Sequence, residues 1–230
     1  MQRIAIYDMD KTITVHPTYA RFLAHAARAL APWRLALAPL SVGPGLAYLA
    51  KAIDRGRLKE INQRLLLGRH LDPAELAGVV TDFARTTLAT NIRPGALARI
   101  ADERAAGYRM VLATASYRLY AEAIGRAAGF DDVIATASLA GLDGRLRPKI
   151  DGENCYGPAK LRMVQAWLEA QGIARSDAHI RFYSDHVSDA PVLEWADEGY
   201  AVHPSPALAA LAATKGWPVM DWGTGSRGRG

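Results

Sequence analysis

Five short apolar runs along the chain are bounded by glycine, proline or polar residues, a pattern typical of buried β-strands. They cover residues 4–7, 110–113, 133–135, 180–183 and 200–202. Between the later runs, apolar positions recur with helical periodicity near residues 95–106, 119–128, 159–171 and 190–195. Strands that alternate with helices need crossover connections. We therefore predict an α/β fold, a Rossmann-like doubly wound parallel sheet with helices on both faces.

A long and nearly all-helical stretch, residues 16–91, interrupts this alternation after the first strand. Its last helix has a recognisable start, because Asp72 is a candidate N-cap and Pro73 stands at the first helical position. We predict that this stretch is a helical cap lying over a site on the remaining core, which comprises residues 1–15 and 92–222.

Two further local patterns lie outside the strand–helix alternation. Asp143 and Gly144 form a dipeptide that favours a tight hairpin turn between two strands. The tail at residues 223–230 contains only glycine, arginine, serine and threonine, and we expect it to be disordered.

Carboxylates follow two of the predicted strands. Asp8 and Asp10 come directly after the first strand, with Thr12 behind them, and Asp185 and Asp189 follow the fourth. Ligands of parallel α/β sheets bind beyond the carboxyl ends of the strands. If the chain turns after Asp8, Asp10 can offer its backbone carbonyl to a metal ion. A solvated acidic turn would explain the first pair equally well.

Three other polar residues lie at the end of a predicted strand or near the start of a predicted helix. Thr114 and Ser116 end the second predicted strand, and Lys160 lies early in a helix opened by Gly157 and Pro158. Thr114 is a candidate hydrogen-bond donor to a phosphate oxygen, while Ser116 could equally be the N-cap of the next helix.

Four motifs follow one another along the chain: Asp8 to Thr12, Thr114 to Ser116, Lys160, and Asp185 to Asp189. In this order they resemble the motifs of the haloacid dehalogenase superfamily of phosphatases. Within it the chain is similar to the phosphoserine-phosphatase-like branch, whose helical cap also follows the first strand. The resemblance covers residues 1–222. It implies that Asp8 is a covalent nucleophile and that Asp10 is the general acid and base.

The resemblance also implies the groups that bind ligands. Thr114, Ala115, Ser116 and Lys160 would bind the phosphate. Mg²⁺ would be held by Asp8, Asp185 and the carbonyl of Asp10, with Asp189 and Thr12 in support. Four carboxylates and a phosphate dianion repel one another, and a hard divalent cation with oxygen ligands offsets that repulsion.

The sequence departs from the family pattern at three places. Lys11 stands where glycine is common, and Ser184 occupies a position that is often glycine. Phosphoserine phosphatases carry a glutamate that binds the substrate ammonium nine residues after the nucleophile, but Pro17 stands there. We therefore expect a phosphomonoester other than phosphoserine. His186 is either a solvated loop residue or a substrate contact.

The leading hypothesis is hydrolysis of a small-molecule or lipid-headgroup phosphomonoester through an aspartyl-phosphate. A phosphotransferase would need the same residues, and a binding module that has lost catalysis is the alternative of a different class. The leaving group and the oligomeric state are not determined by the sequence.

Composition limits the partners and the compartment. The chain has 230 residues, a net charge of +5 and a pI of about 9.4, which favours anionic partners. The basic residues are dispersed, so we predict no nucleic-acid binding. Cys155 is the only cysteine, which excludes internal disulfides and multi-cysteine zinc sites. Finding no signal peptide, we expect a cytoplasmic protein.

Residues 29–50 are mostly apolar and carry a single charge, Arg34. Prolines and glycines interrupt this stretch, so we reject a transmembrane span. It is either a pair of short, mutually packed cap helices or an interfacial lid that contacts anionic lipid. Basic residues flank it: Arg21, Arg28, Lys51, Arg55 and Arg57. Arg57 and Lys59 are also candidate substrate contacts.

Overall fold

The computed structural model describes residues 1–223, and within that range seven strands form one sheet in the order β4-β3-β2-β1-β5-β6-β7. The strands are β1 (Gln2–Tyr7), β2 (Arg109–Tyr117), β3 (Asp132–Ala140), β4 (Leu146–Asp151), β5 (Ala178–Ser184), β6 (Glu198–Val202) and β7 (Val219–Met220). Every neighbouring pair is parallel except β3 and β4. The predicted doubly wound α/β fold is confirmed. The tail predicted to be disordered lies outside the described residues from position 224 onward.

Helices cover both faces of the sheet. They are α1 (Tyr19–Leu30), α2 (Val42–Leu49), α3 (Arg55–Leu67), α4 (Pro73–Thr90), α5 (Pro94–Ala105), α6 (Arg118–Ala128), α7 (Pro158–Ala170), α8 (Ala190–Trp195) and α9 (Pro206–Lys215), with a 3₁₀ helix at Pro32–Ser41. Helix α9 and strand β7 are not among the elements predicted from the sequence. Helix α9 is alanine-rich with little periodicity, and β7 has only two residues, so neither gives a clear pattern.

Strand β1 is buried on both faces. Its side chains alternate between the two faces, and each set enters a different core cluster. Ile4 and Ile6 point into one core cluster, with residues of α7, α8 and α9. Ala5 and Tyr7 point into the other, with residues of α5 and α6. The next residue, Asp8, continues this alternation toward the face that carries α7.

Two of the helices between β1 and β2 share a core with the rest of the molecule. Phe22 of α1 stacks on Tyr120 of α6 at a ring separation of 4.3 Å, and Phe83 of α4 meets both rings edge-on. Asp72 caps α4 as predicted, since its carboxylate accepts a hydrogen bond from the amide of Ala74. The division into a cap at 16–91 and a core stays a prediction.

The direction of the chain changes beside β1. After β1 the strands are added on one side, as β2, β3 and β4, and then on the other side, as β5, β6 and β7. A crevice opens at such a switch point, beyond the carboxyl ends of the two central strands. Asp8 directly follows β1 and Asp185 directly follows β5, so the fold brings both carboxylates to this crevice.

Among residues 1–223, no helix is both long enough and apolar enough to cross a lipid bilayer. The single cysteine, Cys155, is fully buried, and burial raises the pKa of its thiol to about 12. It serves as a small core residue.

Candidate active site

Asp8 is held by donors from two other elements. Its amide donates to the carbonyl of Tyr183, which extends the β1–β5 pairing by one residue. One carboxylate oxygen accepts a hydrogen bond from Lys160 Nζ at 2.7 Å, and the other lies 3.0 Å from the hydroxyl of Thr12. Burial raises the pKa of Asp8 to about 7, against the effect of Lys160 and with the help of Asp189 and Asp185.

Lys160 is buried and joins two carboxylates. Its ammonium donates to Asp8 and to Asp189, each at 2.7 Å. Burial alone would lower the pKa of Lys160, but the two carboxylates outweigh it and raise the pKa. Ser184 adds a hydrogen bond of 2.8 Å to the same oxygen of Asp189, which a glycine at that position could not supply.

A tight turn at Met9–Ile13 links Asp8 to Asp185. Thr12 lies in this turn, accepts a hydrogen bond from the amide of Asp185 at 3.0 Å, and has its hydroxyl 3.3 Å from the Asp185 carboxylate. Lys11 has a φ of 65°, in the left-handed region. The preference for glycine at this position therefore has a conformational cause.

Asp10 lines the same small cavity as Asp8 and is oriented by three donors of its own. The amide and hydroxyl of Thr18 donate to one carboxylate oxygen at 2.6 and 2.8 Å, and Ser116 donates to the other at 2.8 Å. Ser116 is not a helix N-cap, because β2 continues through Tyr117 and α6 begins only after it. That alternative is wrong, since β2 keeps pairing with β3 as far as Tyr117, beyond its apolar run.

Two adjoining cavities meet at Asp10. The smaller has a volume of about 200 Å³ and is lined by all the predicted site residues except Thr12 and Ser116. The larger, of about 330 Å³, contains Ser116 together with residues of α1, α2 and α3. Asp10, Ala115 and Arg55 line both. This geometry suits a phosphate in the small cavity and the rest of a substrate in the large one.

Thr114 and Ala115 have roles in the local structure besides any contact with phosphate. The hydroxyl of Thr114 accepts a hydrogen bond from the amide of Ser116 at 3.0 Å. The carbonyl of Ala115 accepts bonds from Lys59 and Thr136. Both residues line the smaller cavity. Their role in binding phosphate stays a prediction.

The residues present fit Mg²⁺ better than a metal that needs a cage of side chains. Within residues 1–223 no three acidic, histidine or cysteine side chains form a metal-holding group. Mg²⁺ needs only one or two carboxylates, since it keeps several waters. Thr12 joins Asp8 and Asp185, and one oxygen of Asp189 is buried without a hydrogen-bond partner in the described part of the chain. Such an oxygen can accept from a metal-bound water.

Lys59 gives the larger cavity its charge. Its ammonium is buried, donates to the carbonyl of Ala115 at 2.6 Å and to Asn154 at 3.0 Å, and lies 4.4 Å from the centre of the Tyr117 ring. Burial lowers the pKa of Lys59 to about 7, with Arg55 acting in the same direction.

Lys59 and Arg57 are equal candidates for a substrate contact in the sequence, and Thr18 is not among the predicted site residues. Of those candidates, Lys59 lines the cavity beside Asp10, whereas Arg57 is exposed and pairs with Glu60 at 3.1 Å. Thr18 directly precedes α1, where threonine is a common N-cap, so its sequence context indicates a structural role and not a role in the site. The hydroxyl of Ser188 contacts His186, which lines the smaller cavity.

Comparison with known proteins gives a consistent family. The profile of haloacid dehalogenase-like hydrolases matches residues 5–194. A histidinol-phosphatase of Neisseria meningitidis is 26% identical over 149 residues, which cover 64% of this chain and 67% of that protein.

Two solved structures share the fold. One, from Bordetella pertussis Tohama I and described as a protein with unknown function, is 30% identical with a TM-score of 0.85, covering 97% of this chain and all of that one. The other, a phospho-aspartyl intermediate analogue of phosphoserine phosphatase, has a TM-score of 0.60 and 15% identity, covering 95% and 92% of the two chains.

Proposed function

The chain belongs to the haloacid dehalogenase-like hydrolases, and from this premise we propose that it hydrolyses a phosphomonoester through an aspartyl-phosphate on Asp8. The membership confirms the resemblance seen in its motifs. The observation that carries the proposal is the contact of Asp8 with Lys160, beside a small cavity that Asp10 also lines.

The reaction consists of two displacements. An oxygen of Asp8 attacks phosphorus, the bond from phosphorus to the ester oxygen breaks, and Asp10 gives its proton to the departing oxygen. Asp10 then takes a proton from a water, whose oxygen attacks the aspartyl-phosphate. Inorganic phosphate leaves and the carboxylate of Asp8 is restored. Lys160 offsets charge on the transferring group throughout.

Mg²⁺ fits as the cofactor. Asp8, Asp185 and the carbonyl of Asp10 would hold it, with Asp189 and Thr12 supporting them. When bound, it would neutralise the negative charge that the carboxylates and the phosphate bring together. Burial is the main reason that the pKa of Asp8 and of Asp185 is raised, and the carboxylate of Asp189 adds to it. A bound cation would favour the charged forms of both side chains.

The leaving group is neutral or anionic in this proposal, and phosphoserine is not the substrate. Among residues 1–223, Asp10 is the only carboxylate that lines the larger cavity, and Lys59 and Arg55 are its basic residues. An ammonium group would face these cations with no glutamate at position 17 to balance them. Tyr19, Tyr48 and Leu58 supply apolar surface in the same cavity.

Hydrolysis of p-nitrophenyl phosphate with Mg²⁺ tests the nucleophile. We expect Asp8→Asn to lower kcat by at least about a thousandfold, because the covalent route is lost. Asp102→Asn is the matched control, since Asp102 is an exposed carboxylate on α5. Equal turnover by wild type and Asp8→Asn would end the assignment, and no turnover by the wild type on a broad panel of phosphomonoesters would favour a binding module.

A phosphotransferase would use the same residues and differ only in its acceptor. Hydrolysis in the presence of small alcohols separates the two reactions by their products. Release of inorganic phosphate in equal amount to the leaving alcohol supports hydrolysis. If much less inorganic phosphate than leaving alcohol is released, and the missing phosphate is found in a new ester, the reaction is transfer and not hydrolysis.

A further inference from the structure

An exposed apolar surface lies between α1 and α3. The 3₁₀ helix at Pro32–Ser41 and helix α2 contain no buried residue. Six large apolar side chains, which we call the apolar ridge, are between 39% and 74% exposed: Leu30, Trp33, Leu40, Val42, Leu46 and Leu49. Large apolar side chains exposed together along one segment of a protein surface indicate an interaction site.

The ridge has the regularity of a helix face. Val42, Leu46 and Leu49 are spaced four and three residues apart, so they form one stripe along α2. Such a stripe normally packs against a core, but here it faces solvent. Tyr48, on a different side of the same helix, lines the larger cavity beside Asp10.

The segment is anchored from beneath, so its exposure does not come from a failure to pack. Leu35 packs against the core that α1 and α4 share with the sheet. Arg34 donates a hydrogen bond of 3.0 Å to the carbonyl of Leu65 in α3. The backbone that presents the ridge is therefore fixed on α3.

The chain segment that carries the ridge has charge of a single sign. Residues 11–53 contain no aspartate or glutamate and five lysines or arginines: Lys11, Arg21, Arg28, Arg34 and Lys51. The first acidic residues that follow are already engaged. Asp54 accepts from the amide of Arg57, and Glu60 pairs with the side chain of Arg57.

We propose that the apolar ridge docks this protein on an anionic lipid bilayer. An apolar stripe flanked by exposed cations is the pattern of a helix that lies in the membrane interface, where the stripe enters the acyl boundary and the cations meet anionic headgroups. A second copy of the chain fits the same surface poorly, because it would place like charges against each other.

Docking would hold the site at the level of the headgroups. The ridge residues of α2 would face the bilayer, while Tyr48 on another side of α2 lines the larger cavity. A phosphate ester carried by a lipid could then enter between α2 and the sheet. This substrate class rests on the proposed function, whereas docking itself does not.

Sedimentation with vesicles tests the docking. We expect the full chain to co-sediment at low salt with phosphatidylcholine vesicles that contain phosphatidylglycerol, and not with phosphatidylcholine alone. The triple variant V42S/L46S/L49S should lower the partition coefficient by about a hundredfold or more, since three aliphatic side chains lose their burial. Arg28→Gln with Lys51→Gln should lower it about thirtyfold.

Matched controls use the same substitutions elsewhere. Leu142→Ser changes an exposed leucine in the β3–β4 turn, and Arg126→Gln with Arg145→Gln removes two exposed charges away from the ridge. These variants should bind vesicles like the wild type. Equal binding by the triple serine variant would overturn the proposal, as would no binding by the wild type. A stable dimer that V42S/L46S/L49S dissociates would make the ridge a self-interface instead.

Trp33 reports on contact with the acyl chains. Lipids with brominated chains should quench fluorescence of the bound wild type, and Trp33→Phe should remove most of that quenching. Quenching that persists in Trp33→Phe would place the contact elsewhere and overturn the proposal. Asp8→Asn should bind vesicles like the wild type, so loss of catalysis and loss of docking remain distinguishable.

Discussion

At the scale of single residues, the site depends on side chains that orient the reactive carboxylates. Thr18 contributes two of the three hydrogen bonds to Asp10 and contacts Ser116 at 3.1 Å. Lys59 is a buried cation with no carboxylate bound to it directly. Neither residue would take part in bond making, yet each sets the conditions under which Asp10 acts.

Thr18→Val should lower kcat for p-nitrophenyl phosphate about 10- to 100-fold, because Asp10 loses the hydroxyl that fixes its orientation. KM should change little, since Thr18 does not line either cavity. Thr18→Ser keeps the hydroxyl and should recover most of the rate. A fall in kcat of equal size in Thr18→Ser would contradict a positioning role.

Lys59 should make stability depend on pH. Its pKa is about 7 in the folded protein and 10.5 in an unfolded chain, so between these values the unfolded state binds more protons. The free energy of unfolding therefore rises with pH across this window, and Lys59→Met should flatten the rise. Urea denaturation at pH 7, 8.5 and 10 measures it, with the exposed Lys149→Met as control. Parallel pH profiles for wild type and Lys59→Met would refute it.

At the scale of elements, two turns set the reach of the site. The turn at Met9–Ile13 gives Asp8 and Asp10 different hydrogen-bond partners, and it requires a positive φ at Lys11. Gly157, with a φ of 59°, precedes α7 and allows the helix to present Lys160 to Asp8. Regular strands and helices hold the site residues near one another, and the positive φ angles at Lys11 and Gly157 orient the functional side chains.

Lys11→Gly should stabilise the protein by about 0.5–1 kcal/mol. The left-handed conformation costs a residue with a side chain about 1–2 kcal/mol, and the greater freedom of glycine in the unfolded chain returns part of that gain. Lys11→Val should destabilise, because a branched side chain suits this conformation least. Chemical denaturation measures both changes. Destabilisation by Lys11→Gly would show that the lysine side chain itself stabilises the turn.

At the scale of the whole molecule, the crevice collects negative charge from distant parts of the chain. Asp8 and Asp185 are 177 positions apart in sequence, yet both lie against Thr12. On the opposite face of β1, a buried Glu103 accepts a 2.7 Å hydrogen bond from Tyr7 and pairs with Arg181 at 3.1 Å. The fold therefore tolerates mutual repulsion at the site because the surrounding core holds the strands in register.

Mg²⁺ should stabilise the folded protein by an amount that grows with the logarithm of its concentration relative to the dissociation constant. At one hundred times the dissociation constant the gain is about 2.7 kcal/mol, provided that the unfolded chain does not bind the ion. Asp185→Asn should abolish the rise in Tm, whereas Asp102→Asn should keep it. A Tm independent of Mg²⁺ in the wild type, measured by calorimetry, would count against a metal at this site.

The sequence alone determined the architecture and most of the candidate site. Apolar runs and helical periodicity are local properties, so the strands at residues 4–7 and 180–183 could be located without knowing their partners. Asp8 and Asp185 follow those strands directly, and the geometry of parallel sheets then predicts that they meet.

Only the tertiary structure decided the surroundings of those residues. Lys59 and Arg57 lie two positions apart on one helix, and only packing against Tyr117 and Ala115 buries the first and leaves the second in solvent. The exposure of Leu46 and Leu49 was likewise undecided, because an apolar stripe gives the same pattern whether it meets a core or solvent. Burial is a property of what the rest of the chain places nearby, and no local pattern contains it.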